Sequence, residues 1–287
     1  MIHIKTEAEI AKMRAAGLVV SAALEAMRAA IAPGVTTADL DAIAERVIRD
    51  AGATSNFKGY RGGAGGQVPY PATICASIND EVVHGVPDRR HVLQDGDIIS
   101  IDCGAVVDGW HGDAAFTVGV GTIEPAIQAM LDVCEESMWR GIAAGLAGGR
   151  LGDIGHAVES YVRSLGSYGI VEEYGGHGIG TAMHQEPHVP NLGRRGRGLT
   201  LQPGLTLAVE PMIMMGKRHL VTLDDDWTVV TVDHSWAAHF EHTFAVTRHG
   251  PQVLTAPDLG AARLAAITGG AVTGGAAPIY SERSIHS

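Results

Sequence analysis

The sequence predicts an α+β fold of two pseudo-symmetric halves, each with helices flanking antiparallel strands. Three observations carry that reading. The stretch Ile98–Val118 reads as two strands joined at Asp108-Gly109, the dipeptide that best tolerates the positive φ angles of a tight hairpin. Pro33-Gly-Val-Thr-Thr-Ala-Asp-Leu aligns without gaps to Ala147-Gly-Gly-Arg-Leu-Gly-Asp-Ile, so that Gly34, Asp39, Arg49 and Gly52 match Gly148, Asp153, Arg163 and Gly166. The strands echo as well. Leu93–Asp102 parallels Leu201–Glu210, and Asp113-Ala-Ala-Phe-Thr-Val parallels Glu241-His-Thr-Phe-Ala-Val.

In chain order, Thr6-Glu-Ala-Glu9 has capping-box spacing and opens a long amphipathic helix that ends near Ala32, before Pro33-Gly34. Thr37 is expected to cap a second helix, with Leu40, Ile43, Val47 and Ile48 on one face and Gly52 as its stop. Residues 59–71 form a glycine-rich loop without the lysine and Ser/Thr of a phosphate-binding loop, so it reads as a flexible connection. A strand near Thr73–Ile78 and the central hairpin follow. Helices are expected over Pro125–Ala144 and Gly152–Leu165, then a Gly/His-rich segment (Gly175–His188), a strand (Leu205–Pro211) and a final hairpin from Trp227 to Val246. The Gly/Ala/Ser-rich stretch 268–287 reads as a flexible tail. One domain over 1–267 is expected, with repeats at about 6–120 and 125–249.

Composition excludes several classes. No apolar run reaches bilayer-spanning length, and Met1–Glu7 lacks the apolar stretch of a secretory signal. Cys75, Cys103 and Cys134 are odd in number and lack CxxC spacing, so neither a disulfide framework nor a thiolate zinc site is indicated. The expected compartment is the cytoplasm. A net charge of −11 opposes DNA or general nucleic-acid binding.

With a two-residue hairpin loop, Asp102 faces Ala115 and Asp113 faces Gly104, so the two acids share a face as diagonal neighbours about 7–8 Å apart at the backbone. Two carboxylates on a buried face repel unless a proton or a metal lies between them; on a solvated face they would need neither. The echo adds Glu210 and Glu241 at matching places. A pseudo-twofold would bring Asp102, Asp113, Glu210 and Glu241 to one centre, where two divalent cations would neutralise the charge. Carboxylates with one imidazole suit Co, Mn, Fe or Zn. Two such ions about 3.5–4 Å apart can generate a hydroxide nucleophile near neutral pH and polarise a scissile carbonyl. The candidate imidazole is His177, whose flanking glycines let the backbone pass close to the site.

The order Asp102, Asp113, His177, Glu210, Glu241 resembles the dinuclear site of the methionine aminopeptidase family, with its pita-bread fold. The motifs that carry the resemblance are Ser100-Ile-Asp-Cys-Gly104, Gly109-Trp-His-Gly-Asp113, Gly176-His-Gly-Ile-Gly180, Met183-His-Gln-Glu-Pro187, Val209-Glu-Pro-Met212, Phe240-Glu-His-Thr243 and Asn79–Pro87. The resemblance covers roughly residues 3–249 and is to the type I branch, without the long C-terminal-half insertion of type II. The resemblance implies two divalent ions: Asp102 bidentate on one, Asp113 and Glu241 bridging, and His177 and Glu210 completing the other shell. It also implies Glu210 as general base, His84 near the scissile amide, and His184 on the carbonyl oxygen. His111 is assigned no role.

What the resemblance implies about function is removal of the initiator methionine from nascent polypeptide N-termini, chiefly before a small second residue. By position, Phe57, Tyr70, Cys75 and Trp227 resemble the lining of an apolar, adaptable methionine pocket. Met183 stands beside His184 where the family commonly has an aromatic residue. Two departures are the long loop 61–69 and the 268–287 tail. No amino-terminal zinc-finger or proline-rich docking extension is seen, and a monomer is expected. Arg194, Arg195 and Arg197 form a basic loop, ordinarily just solvated, with transient ribosomal contact as the other reading. An X-Pro aminopeptidase or prolidase would share the ligands and fold, but usually carries a sizeable amino-terminal domain. A non-catalytic pita-bread binding protein would characteristically lose ligands, and all five are present.

Overall fold

The computed structural model describes residues 2–62 and 68–269. Helices α1 (Glu7–Ala30) and α2 (Thr37–Asp50) precede the strands β1 (Thr54–Ser55), β2 (Ile74–Ile78) and β3 (Glu81–Val83). The central hairpin follows as β4 (Ile98–Val107) and β5 (Trp110–Gly119). Next come α3 (Pro125–Ala144), α4 (Leu151–Leu165), β6 (Gly169–Ile170), β7 (Gly176–Gly178), β8 (Gln185–Val189), β9 (Thr206–Val209) and β10 (Met212–Met214). The described chain ends with β11 (Leu220–Thr222), β12 (Val229–Thr231), β13 (Ala237–His239), β14 (Glu241–Thr247), β15 (Gly250–Val253) and α5 (Ala261–Thr268).

Local chemistry sets the helix starts. Thr6 accepts from the Glu9 amide at 3.3 Å, and the Glu9 carboxylate accepts from the Thr6 amide at 2.7 Å. The α2 cap is Thr36 rather than Thr37. Of the two threonines, Thr36 has an acid three residues on, and Asp39 completes its capping box at 3.0 Å. Thr37 instead donates to the Asp88 carbonyl at 3.0 Å, tying the helix to the loop after β3.

The principal sheet runs β1-β4-β5-β14-β9-β7-β8, with β2 also on β4 and β15 also on β14. Two three-stranded sheets, β13-β10-β6 and β11-β12-β3, stand beside it. On β4 the side chains of Ile99, Ile101, Cys103 and Ala105 are wholly buried toward the helices, where each large apolar residue stabilises the fold by about 1.5–3 kcal/mol. The alternate residues Ser100 and Asp102 take the opposite face.

The echoed segments make matching bonds. Gly34 donates to the Leu93 carbonyl at 2.8 Å, and Gly148 donates to the Leu201 carbonyl at 2.9 Å. Leu93 returns a bond to Val35, and Leu201 to Gly149, each at 2.9 Å. Both leading glycines hold positive φ (+92° and +86°), which a side chain would resist. Isolated bridges at Thr36↔Val92 and Arg150↔Thr200 complete the correspondence.

The expected final hairpin does not form. Residues 227–246 are dealt among three sheets: β12 joins β11 and β3, β13 joins β10, and β14 joins β5, β9 and β15. Alternation alone identifies strands in this stretch but not partners that come from distant parts of the chain. The helix expected from Gly152 starts one residue earlier, and α5 is an element that the sequence pattern does not announce. Thr268 ends α5, while 270–287, like 63–67 of the glycine-rich loop expected to be flexible, lies outside the described residues. Among the described residues no helix is long and apolar enough to cross a membrane.

Helix α1 crosses β5 where each carries a glycine, Gly17 and Gly112. A Cβ on Gly112 would lie 2.8 Å from the Gly17 nitrogen, and a Cβ on Gly17 only 2.2 Å from the Leu254 carbonyl oxygen. Gly17→Ala should gain up to about 1 kcal/mol of helix propensity yet lose about 1–3 kcal/mol to overpacking. Urea unfolding is expected to show net destabilisation; a midpoint at or above that of the parent chain would contradict this contact.

Candidate metal centre

Strand register alone puts the acids together. Cys75 pairs with Asp102, Asp102 with Ala115, and Ala115 with Glu241, a single row across β2, β4, β5 and β14. Paired residues share a face, and Asp113 shares it with Ala115 by alternation. The pairings that the two-residue turn predicts, Asp102↔Ala115 and Gly104↔Asp113, are those observed. On β14 the next residue, His242, pairs with Val209, so Glu210, just beyond β9, emerges beside Glu241. His177 arrives on β7, held to β9 by the Gly178↔Leu207 pairing and by the Thr206 hydroxyl, which donates to the Ile179 carbonyl at 2.6 Å.

The β5–β14 ladder is only two pairs long, and a side chain reinforces it. Thr243 donates to the Asp113 carbonyl at 2.8 Å and accepts from the Asp113 amide at 3.2 Å. The Glu210 carbonyl accepts from the Asn191 amide group at 3.1 Å.

These groups fit divalent cations. Asp113, His177 and Glu241 each bring a ligand atom within 4.8 Å of one another, as do Glu210, His239 and Glu241. Asp102 stands outside both groups but close enough to Asp113 for each to bear on the other's ionisation. One oxygen each of Asp102, Asp113 and Glu241 is buried without a hydrogen-bond partner. The His177 Nδ1 lies 3.0 Å from the Gly178 carbonyl; a proton donated there leaves the Nε2 lone pair facing Glu210 at 3.6 Å and Glu241 at 3.9 Å. Oxygen-rich donors with imidazole suit the borderline first-row ions.

Electrostatics agree. Burial, opposed in part by His239, leaves Asp102 raised to about 7, and burial followed by the Asp102 charge drives Asp113 well up. Glu241 rises for the same reason, burial first and the Asp113 charge next. Glu210 goes the other way: burial raises it, but a contact with His239 and the charge of His177 outweigh burial and lower it.

The centre opens into a cavity of about 550 Å³. Phe57, Tyr70, Cys75, Met183 and Trp227 line it and belong to one apolar cluster, so all five residues expected in a pocket are brought together. Tyr70 places its hydroxyl 2.9 Å from the carbonyls of both Ile74 and Gly85, which fixes that wall. Burial pushes the Cys75 thiol pKa well up, so it stays a soft neutral group. His84 holds an unusual φ of +61°, and its ring meets Tyr174 and Trp227 edge-on at 5.7 and 6.2 Å. His184 stacks edge-on against His177 at 4.4 Å between ring centres. His111 does not line the cavity; its amide donates to Gly180 at 2.8 Å.

Among the cavity residues that a reading of the sequence does not single out are Tyr60, Tyr174 and His239. Tyr60 lies 2.6 Å from the His184 Nδ1. His239 carries a usable signal, since alternation from Glu241 puts residue 239 on the same face. Tyr60 and Tyr174 sit in loops, where alternation says nothing.

A family model described as metallopeptidase family M24 matches residues 11–248. A methionine aminopeptidase 1 from Mycobacterium tuberculosis is 54% identical, over 88% of this chain and 94% of its own. The chain belongs to metallopeptidase family M24. Its fold also superposes on the methionine aminopeptidase of Thermotoga maritima with a TM-score of 0.85 at 41% identity, covering 89% of this chain and 99% of that one. An Xaa-Pro dipeptidase from Bacillus anthracis shares the fold at a TM-score of 0.68 and 24% identity, with 89% and 62% covered. This is a metal-dependent hydrolase on the pita-bread fold.

Raised carboxyl pKa values mean that the metal-free cluster retains protons near pH 7 which the unfolded chain has lost. Its contribution to stability is therefore greatest below about pH 4 and declines as pH rises through 7. Divalent ions must displace those protons. Titration of the metal-free protein with Mn(II) in buffers of different ionisation enthalpy is expected to show proton release and affinity rising from about pH 6 to 8. Equal heats in all buffers and pH-independent affinity would contradict it.

Proposed function

We propose that the chain removes the N-terminal methionine from nascent polypeptides, preferring a small second residue. The observation that carries this is the continuity of the acid–imidazole centre with an apolar pocket of thioether-compatible chemistry, Cys75 of the pocket pairing directly with Asp102 of the centre. Residues 1–267 are taken as one metallopeptidase domain, working as a monomer in the cytoplasm. The exposed loop bearing Arg194, Arg195 and Arg197 is the surface assigned to transient ribosomal contact.

Asp102, Asp113, His177, Glu210 and Glu241 would hold two ions drawn from Co, Mn, Fe and Zn. When bound, the pair supplies a nucleophile at neutral pH and draws electrons from the scissile carbonyl. The remaining work falls to side chains. The methionine side chain enters the cluster of Phe57, Tyr70, Cys75, Met183 and Trp227, which excludes water and sets the position of the first peptide bond. Burial, and for His184 also the neighbouring His177, lowers both His84 and His184 to about 4, so both are neutral at pH 7. The Tyr60 hydroxyl lies 2.6 Å from Nδ1 of His184; in the tautomer in which that nitrogen accepts, the ring's one proton is on Nε2, ready to donate to the carbonyl oxygen as charge develops. His84 donates near the scissile amide. Glu210, whose pKa is lowered, stays ionised to take a proton from the attacking water and return it to the leaving amine.

The deciding experiment incubates the purified protein, with Mn(II), Co(II), Fe(II) and Zn(II) in turn, with peptides beginning Met-Ala, Met-Lys and Ala-Pro, followed by mass spectrometry. Methionine loss from Met-Ala alone is expected, and Glu210→Gln should slow it by about 10²–10⁴-fold. Cleavage at Ala-Pro would move the chain to the X-Pro branch, and no cleavage with any of the four metals would leave a binding protein. A second expectation concerns the pocket rim. Met183→Phe replaces a flexible thioether by a rigid ring, so kcat/KM should fall several-fold for bulky methionine analogues relative to methionine; an unchanged ratio would remove Met183 from the pocket.

A further inference from the structure

His239 belongs to none of the roles above, yet it is only 2% exposed. It closes β13, where it pairs with Met212 of β10. Its backbone is clamped from the principal sheet as well. The His239 amide donates to the Thr117 hydroxyl at 2.8 Å, and that hydroxyl lies 2.8 Å from the His239 carbonyl. Thr117 is in turn bonded to Ser100 at 2.8 Å, on the face of β4 and β5 that bears the acids. Two sheets thus fix where this imidazole stands.

The ring points its Nε2 toward Glu210. That nitrogen is buried with no hydrogen-bond partner and lies 3.5 Å from Glu210 Oε2. The other carboxylate oxygen, Oε1, is 3.6 Å from Nε2 of His177. Glu210 therefore spans two imidazoles, one per oxygen. It needs such a support. It stands beyond the end of β9, so no ladder bonds hold it, and a glutamate side chain has considerable rotamer freedom to lose.

We propose that His239 is the positioning residue for Glu210, donating Nε2–H to Oε2 so that Oε1 stays directed at the metal site. This rests on the reading of Glu210 as ligand and base. A ligand carboxylate anchored through its outer oxygen loses little freedom when the ion binds, and loss of such a partner costs about 10–100-fold in metal affinity or activity. The competing role is that His239 itself coordinates, because its Nε2 lies within 4.8 Å of ligand atoms of Glu210 and Glu241. The two roles demand different chemistry. A donor can be replaced by an amide N–H, whereas a nitrogen ligand cannot be replaced by a side chain that offers no nitrogen lone pair.

The test uses the full chain and the variants His239→Gln and His239→Leu. Gln offers a donor of similar reach and Leu offers none. Mn(II) affinity is read by calorimetry, the Co(II) form by its visible absorption, and kcat and KM with a Met-Ala peptide at saturating metal. His239→Leu is expected to bind Mn(II) about 10–100-fold more weakly, shift the Co(II) spectrum and lower kcat with KM nearly unchanged. His239→Gln should restore most of each. Wild-type affinity, spectrum and kcat in His239→Leu would overturn the proposal. So would a Gln variant as impaired as the Leu variant, which would make the imidazole a ligand. Should the Leu variant not fold, His239→Asn takes its place as an amide too short to reach Glu210, and the same comparison with Gln decides. Failure of the parent chain to release methionine would count against the functional reading alone, since the Mn(II) comparison stands without turnover.

Discussion

The structure turns on the burial of like charges along one row of a hydrogen-bonded sheet. Asp102 and Glu241 flank Ala115 in register, and Asp113 is one alternation away. An unpaired ionised carboxylate in such a place costs several kcal/mol, and neighbours of the same sign raise the cost. The side chains cannot escape it by moving apart, because their Cα atoms are fixed by ladder bonds and the opposite face of the same strands is packed on the helices. Protons or cations must supply the balance. The elevated pKa values of Asp102, Asp113 and Glu241 express the first option, and the orphaned oxygens of all three show donor capacity left for the second.

The scaffold divides the task between its halves. The first half contributes Asp102 and Asp113 from a long, regular hairpin of ten paired residues per strand. The second contributes its three groups from shorter, separately held pieces: β7, β14 and the residue beyond β9. That asymmetry accounts for the accessory bonds clustered on the second half. Thr243 clips β14 to β5, Thr206 clips β7 to β9, and Asn191 holds the Glu210 backbone. Where the ladder is short, side-chain hydroxyls and amides take over its work.

How much can be read from the sequence follows from which features are local. The hairpin turn at Asp108-Gly109 is local, and it sets the register that pairs Asp102 with Ala115. The repeat makes the non-local step accessible, since Glu210 and Glu241 occupy places corresponding to Asp102 and Asp113. Residues 227–246 mislead for the converse reason. They alternate like a hairpin, but Val229, His239 and His242 pair with Val83, Met212 and Val209, partners that no local signal identifies. Thr36 against Thr37 as cap is decidable, since only Thr36 has Asp39 three residues on. Tyr60 is beyond reach, because its partner His184 is 124 residues away and neither lies in a strand.

One cross-strand pair links selectivity to chemistry. Cys75 in the pocket wall and Asp102 in the acid row are directly opposed on β2 and β4, which holds their Cβ atoms about 4.5–5.5 Å apart. The separation between pocket and centre is thereby set by backbone hydrogen bonds rather than by a loop. Another part of the lining is built differently: Met183 precedes His184, and Tyr60 reaches His184 from a loop. A substrate side chain resting against the Cys75 wall meets the acids at a fixed depth, while adjustment to its shape falls to the Met183 and Tyr60 side. On the proposed function, this is why an unbranched side chain of one length can be measured by the pocket: the rigid wall fixes where the first peptide bond lies, and the softer Met183 side accommodates its shape.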